Sequence, residues 1–236
     1  MSFLFKKINL EKLPKHVAFI MDGNRRWAQK KGKERNYGHH AGSVTFEKMI
    51  KYCQDIKIKY ITFYAFSTEN WKRSEEEIRG LFDLLRKYMS DGRTNEFLKS
   101  NIKVNILGDI SKFPKDLIKL CADIAKDTKN CTDVTLNLAL NYGSRDEILY
   151  AAEQCVKNKQ EITKENFEKH LYTAGQPDPD LIIRTSGEYR LSNFLLYQAA
   201  YSELYFVKTL WPAFSVRNFK KALIAYQSKS RRFGGR

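Results

Sequence analysis

The chain has 236 residues and a formal charge of +15 from 42 basic and 27 acidic side chains, with 42% hydrophobic and 13% aromatic residues. That is enough apolar material for a buried α/β core, while the longest apolar run, YITFYAF at 60–66, is far short of the ~20 residues of a membrane-spanning helix. The positive excess asks for a polyanionic partner, whether nucleic acid, an anionic membrane surface or phosphorylated small molecules, and does not choose among them.

Residues 1–14, MSFLFKKINLEKLP, mix Phe and Leu with Lys and read as an amphipathic lead-in helix without a signal-peptide core. HVAFIM (16–21) is the first strand and ends in Asp22, Gly23 and Asn24 at the turn into a basic helix. The open N–H groups and positive end of that helix, with Arg25 and Arg26, make an anion site. A lone carboxylate among arginines fits a divalent cation bridging it to a phosphate-bearing ligand, although a plain N-cap role for Asp22 accounts for the turn equally well. His39 and His40, near glycines, read as loop residues. Apolar faces predict helices at 44–57 (Phe46, Ile50, Cys53), at 75–90 (Ile78, Leu81, Phe82, Leu85, Tyr88) and at 145–156. Ser74 with Glu77 and Ser144 with Glu147 fit capping boxes, and Glu75–Glu77 reads as an acidic first turn matched to the helix dipole.

Further strands are predicted at 60–66, 102–107, 134–140, 180–185 and 203–208. Alternation with helices implies a mainly parallel six-stranded sheet flanked by helices, in one domain spanning 1–236 with a tail at 226–236. Ligands of such sheets bind beyond the carboxyl ends of the strands. Polar groups collect there: Asp22–Arg26, Ser67–Trp71, Asn141–Gly143 and Arg184–Gly187. The phosphate-loop, dinucleotide, nucleophile-elbow and HExxH patterns are absent. Cysteines 53, 121, 131 and 155 lack CxxC or ligand spacing, which points to reduced thiols and a cytoplasmic location.

Five motifs in order, HVAFIMDGNRRWA (16–28), ERNYGHHAG (34–42), FYAFSTENWKRS (63–74), DLIIRTSGEYRLSNFLLYQAAYSELYF (180–206) and RRFGG (231–235), resemble the cis-prenyltransferases. This family includes undecaprenyl diphosphate synthase and the dehydrodolichyl diphosphate synthases. The resemblance implies Mg²⁺-dependent, sequential condensation of isopentenyl diphosphate onto farnesyl or geranylgeranyl diphosphate. The product would be a long cis-polyprenyl diphosphate, a precursor of a dolichol- or undecaprenol-type carrier lipid.

It also implies roles. Asp22 is a catalytic metal ligand, with Glu203 a second metal contact, and Asn70 with Ser67 stand near the proton transfer. Gly23, Asn24, Arg25, Arg26, Trp27, Arg35, His39, Trp71 and Arg73 are assigned to substrate, mainly on the allylic side. Arg184, Arg190 and Ser192, capped by Arg232 and Gly234 of the tail, belong to the homoallylic side. A hydrophobic tunnel for the growing chain would be walled by Ala65, Phe66, Leu81, Leu85, Leu136 and Leu138. Trp27 and Trp71 serve equally well as core aromatics on their residues alone, and any single tunnel residue reads more readily as plain core packing.

Two departures stand out: Arg25 where bacterial relatives commonly have Gly, which looks more eukaryotic or archaeal, and Tyr189 where some have a metal-contacting His. The charged segment 87–101 is expected to lengthen the helix that sets tunnel depth. The tail implies a self-sufficient catalytic subunit acting as a homodimer. The basic lead-in and greasy product imply peripheral contact with the cytosolic face of a membrane. A nucleic-acid partner is not expected, because it would leave Asp22, Glu203 and the ordered motifs without a role. A catalytically silent subunit is disfavoured by the joint presence of Asp22, Arg184, Arg190, Ser192 and Arg232.

Overall fold

Each strand of the sheet runs parallel to its neighbours, in the order β3-β4-β2-β1-β5-β6, within a computed structural model that describes residues 8–229. β1 (His16–Ile20) and β5 (Leu181–Arg184) are buried along their whole length. That explains why their sequences are continuous rather than alternating in polarity. The remaining predicted strands also form, as β2 (Tyr60–Ser67), β3 (Ile102–Leu107), β4 (Val134–Tyr142) and β6 (Glu203–Phe206). From β1 the chain moves to β2 on one side, and β5 joins later on the other. A crevice therefore opens above the carboxyl ends of β1 and β5.

Around the sheet lie α1 (Asn24–Lys30), α2 (Arg35–Asp55), α3 (Glu75–Tyr88), α4 (Asp91–Lys99), α5 (Lys115–Asp127), α6 (Ser144–Lys157), α7 (Lys164–Glu168) and α8 (Val216–Gln227). None of the described helices is long and apolar enough to cross a membrane. Aromatic packing centres the core between β1, β2, α2 and α8. Phe19 stacks on Phe63 at 5.0 Å, and Phe46 and Phe219 meet this pair edge-on.

Four expectations are corrected. Helix α2 starts at Arg35, so the motif holding His39 and His40 is helical rather than a loop. Its glycines are contact points: a Cβ on Gly38 would lie 2.1 Å from the Asn24 carbonyl oxygen, so only glycine lets α1 dock here. The helix over 75–90 stops at Tyr88, because Ser90 turns extended (φ −67°, ψ 159°) and starts α4 as a separate piece. Segment 87–101 therefore does not lengthen α3. Gly143 rather than Ser144 caps α6, and the Glu147 carboxylate, fully buried, accepts from Tyr142 Oη, Gln198 and the Tyr172 amide instead of closing a capping box. The described part of the lead-in, residues 8–14, forms only a 3₁₀ turn, Leu10–Lys12, capped by the Asn9 side chain. Residues 1–7 lie outside the described residues.

At the opposite rim a buried chain of hydrogen bonds fixes strand registry. The His16 ring bonds the Pro177 carbonyl through Nδ1 (2.8 Å) and Thr62 Oγ1 through Nε2 (2.7 Å), and Thr62 in turn accepts from Asn137 (3.0 Å). Burial holds the imidazole neutral and lowers its pKa to about 4. The native state thus binds fewer protons than the unfolded chain between about pH 6.5 and pH 4. Stability from this group is complete above pH 6.5 and lost as pH falls, by about 3 kcal/mol at most. Urea midpoints measured from pH 7 to pH 4.5 should fall more steeply for the native chain than for His16→Gln. Parallel profiles would contradict this.

Candidate active site

Above the carboxyl ends of β1, β2, β4 and β5 sits a polar cavity of about 580 Å³. Its floor is Asp22. Gly23, at φ 106°, turns the chain into α1, and the Asp22 carbonyl is tied down by Thr185 Oγ1 (2.6 Å) and the Trp211 amide (3.0 Å). The carboxylate is shared: Oδ2 accepts from Arg184 at 3.0 Å and Oδ1 from Arg26 at 3.3 Å. Arg26 reaches on to Glu188 (3.0 Å) and to the Ser186 hydroxyl.

Arg184 is buried at the end of β5 and donates to Ser192 Oγ (2.8 Å) and the Arg190 carbonyl (2.5 Å). Its Nε has no partner. The loop presenting Ser192 is unusual, with Ser192, Asn193 and Leu195 all at positive φ (49°, 62° and 47°). Strain of this kind costs about 1–3 kcal/mol per residue and persists only where surroundings enforce it. Here α6 enforces it: the Ser144 amide donates to the Asn193 carbonyl (2.8 Å) and Ser144 Oγ accepts from the Leu196 amide (2.9 Å).

A second cationic group lies on the α2–α3 side. The Glu77 side chain, only 9% exposed, accepts from Arg73 (2.8 Å) and Arg35 (3.3 Å), with His39 Nε2 at 3.7 Å. Burial lowers the His39 pKa, Arg73 lowers it further, and Glu77 opposes both. Asn24 Oδ1 and His39 Nε2 are buried without hydrogen-bond partners, and both residues line the cavity. A buried polar atom left unpaired is costly, so together with Arg184 Nε they mark a surface shaped to receive polar ligand atoms.

From this cavity an apolar cleft of about 90 Å³ runs inward, sharing Met21, Asn24, His39, Ala65 and Leu81 with it. Its walls include Phe46, Phe66, Leu85, Leu138 and Tyr88. At Tyr88 the wall is pinned: its hydroxyl donates to Glu47 (2.7 Å), which also pairs with Arg93.

The site residues foreseen in the sequence are thus partly assembled. Asp22, Asn24, His39, Ser67, Asn70, Arg73, Arg184 and Ser192 line the polar cavity, and Ala65, Phe66, Leu81, Leu85 and Leu138 line the cleft. Leu136 is a correction: fully buried in the middle of β4, it packs in the core and lines neither the polar cavity nor the cleft. Glu203 is another. It pairs with Leu181, which pairs with Val17, so it sits at the amino end of the sheet, about 15 Å along the strands from Asp22. Within one chain the two carboxylates cannot share an ion.

Trp71 donates to Asn141 Oδ1 (2.8 Å) amid Phe66, Phe82 and Phe113, and Trp27 stacks on Tyr37, so both act as packing aromatics outside the cavity. Arg25 is exposed, Arg35 reaches the site only through Glu77, and Arg190 is exposed against Glu188. Arg232 and Gly234 lie outside the described residues. Glu77, Arg145 and Glu47 were not foreseen. Only the four-residue spacing of Arg73, just before the start of α3, and Glu77 in its first turn hinted at a pairing.

Among the described residues no three His, Cys, Asp or Glu side chains cluster as a metal cage. The donor set nevertheless fits magnesium, which is typically held by one or two carboxylates with substrate phosphates and water completing its shell. Asp22 is 29% exposed, and one guanidinium bond at each oxygen leaves lone pairs open to an ion.

Residues 20–234 match the family model described as "Putative undecaprenyl diphosphate synthase". An isoprenyl transferase of Fusobacterium nucleatum is 48% identical over 94% of this chain and 96% of its own length, and one of Aquifex pyrophilus is 46% identical over the same shares. Lavandulyl diphosphate synthase from Lavandula x intermedia, solved in complex with dimethylallyl diphosphate, superposes with a TM-score of 0.90 at 32% identity, covering 95% of this chain and 99% of its own. A "probable undecaprenyl diphosphate synthase" from Campylobacter jejuni gives 0.79 at 34% identity over 98% and 100%. A parallel sheet with a polar cavity at its carboxyl rim, opening into an apolar cleft, therefore comes with full-length sequence similarity, and the chain belongs to the cis-prenyltransferase family of prenyl-transferring enzymes.

Proposed function

We propose that the protein condenses isopentenyl diphosphate repeatedly onto an allylic diphosphate, farnesyl or geranylgeranyl diphosphate, to make a long cis-polyprenyl diphosphate of the undecaprenol or dolichol type. The observation that carries this is the junction of the polar cavity with the apolar cleft at Met21, Asn24, His39, Ala65 and Leu81. Such a junction suits a molecule with an anionic head and a hydrocarbon tail. The lavender enzyme, whose complex holds the allylic dimethylallyl diphosphate, supports the same substrate class.

In this reading the allylic head lies against Asn24, His39 and Arg73, and its tail passes Ala65. The homoallylic head lies against Arg184 and Ser192, capped by Arg232 and Gly234. As the allylic C–O bond breaks, its electron pair leaves on the diphosphate. Fixed N–H donors and guanidiniums stabilise the growing charge without reorganising. Magnesium, when bound at Asp22, supplies Lewis-acid neutralisation of that charge. The double bond of isopentenyl diphosphate closes on the allylic carbon, and a proton leaves C2 beside Ser67 and Asn70. The released diphosphate, the strongest base within reach, takes it.

The cleft is walled by Phe46 and Ser43 of α2 and by Leu81, Leu84 and Leu85 of α3, so the growing chain would run between these two helices. Ala65→Leu should shorten the product by at least one isoprene unit, read by sizing the dephosphorylated lipid; unchanged length would reject the tail's path past Ala65. A homodimer is supported by the edge strand β6, where exposed Tyr189, Tyr201 and Leu204 gather beside unpaired backbone. Peripheral membrane contact is supported by the positive charge and by a product that must leave into lipid. The deciding assay incubates the chain with labelled isopentenyl diphosphate, Mg²⁺ and either primer. Elongated lipid is expected, and no incorporation with any primer would favour a silent subunit.

A further inference from the structure

The guanidiniums lining the polar cavity differ in one respect. Arg73 is committed to Glu77 (2.8 Å), and Arg184 to Asp22 (3.0 Å), Ser192 (2.8 Å) and the Arg190 carbonyl (2.5 Å). Arg145 also lines the cavity, yet its guanidinium has no hydrogen-bond or ion-pair partner among the described residues. Its side chain is exposed, but its backbone is fixed. Arg145 is the second residue of the 14-residue helix α6, and its amide donates to Asn193 Oδ1 (2.9 Å), while the preceding Ser144 amide donates to the Asn193 carbonyl (2.8 Å). Gly143 closes this junction so tightly that a Cβ there would fall 2.7 Å from Asn193 Nδ2. The start of α6 and the strained Ser192–Asn193 loop thus form one unit, and Ser192 and Arg145 line the same cavity.

We propose that Arg145 is a ligand of the homoallylic diphosphate, completing the cradle made by Arg184 and Ser192; the inference rests on the substrates proposed above. An incoming polyanion meets the carboxylates of Asp22 and Glu69 in the same cavity. Arg184 offsets that repulsion only by sharing its donors with Asp22. Arg145 brings a full planar donor fork with no internal carboxylate to displace, and the positive end of α6 adds to its field. The buried Arg184 Nε, without a partner, faces the same demand for acceptor oxygens.

The test is calorimetric titration of isopentenyl diphosphate onto the full chain and onto Arg145→Gln and Arg145→Lys, with farnesyl diphosphate titrated in parallel. Losing charge-assisted bonds should weaken isopentenyl diphosphate by at least about tenfold in the Gln variant, with partial recovery in Lys. Farnesyl diphosphate should stay within about twofold, the ordinary scatter of a site not touched. Unchanged isopentenyl diphosphate affinity in Arg145→Gln, or equal weakening of both ligands, would overturn the assignment. Elongation by the unsubstituted chain, run alongside, reports separately on the proposed reaction.

Discussion

Asp22→Ala should reduce turnover by at least about 10²–10³-fold, the loss seen when one preorganised partner of a developing charge is removed. The effect arises in two places at once. The carboxylate is the cavity's candidate ligand for a divalent ion, and it also holds Arg184 (3.0 Å) and Arg26 (3.3 Å) in their present directions. Without it both guanidiniums remain charged and become freer to grip a diphosphate. Ground-state affinity should therefore hold or rise while kcat collapses. Asp22→Asn separates the roles, since an amide keeps the shape and one acceptor but not the charge, and it should be nearly as inactive as Ala. Magnesium titration of the diphosphate complexes should show weakened ion binding in both variants. Retained magnesium affinity with a lost kcat would move Asp22 from ion holder to another role.

Glu77→Leu should be the most damaging change away from the reacting atoms. Its carboxylate is the common partner of Arg73, Arg35 and His39, and it is almost buried. Removing it leaves two guanidiniums facing each other beside a histidine already pushed towards its neutral form. Breaking a buried ion pair costs about 3–5 kcal/mol, but Arg35 and Arg73 remain 46% and 35% exposed, which reduces the expected loss to about 2 kcal/mol. Because Arg73 and His39 line the cavity where the allylic head is proposed to lie, KM for the allylic diphosphate should rise well above any change in KM for isopentenyl diphosphate. Glu77→Gln, which retains acceptor geometry, should recover stability more than allylic binding. Urea unfolding and the two KM values check this, and equal effects on both substrates would remove the link between Glu77 and the allylic side.

Much of the architecture was legible because strands buried on both faces announce themselves as β-branched and aromatic runs, and all six formed within one or two residues of their predicted ends. The rim was legible for the same reason: polar residues that follow such strands have little else to do there. What failed to show was tertiary. The glycines of ERNYGHHAG look like a loop until Asn24 is seen packed against Gly38 and Gly42, and this hid the first two and a half turns of α2. Glu77 read as a dipole-matched first turn because its partners Arg35 and His39 come from another helix. Glu203 sits inside a motif whose other residues belong to the rim, yet strand register carries it to the far end of β6. Leu136 and Leu138 are two apart on β4, so both point to the same face, and only depth along the strand separates the core residue from the one lining the cleft.

The most direct measurement is a crystal structure with isopentenyl diphosphate and a non-reactive thio analogue of the allylic diphosphate bound together. One head should lie on Asn24, His39 and Arg73, the other on Arg184, Ser192 and Arg145, with the reacting carbons about 3–3.5 Å apart and the tail past Ala65. Both heads on a single arginine group, or a tail running away from Ala65 into solvent, would contradict two adjoining diphosphate sites at the mouth of one apolar cleft.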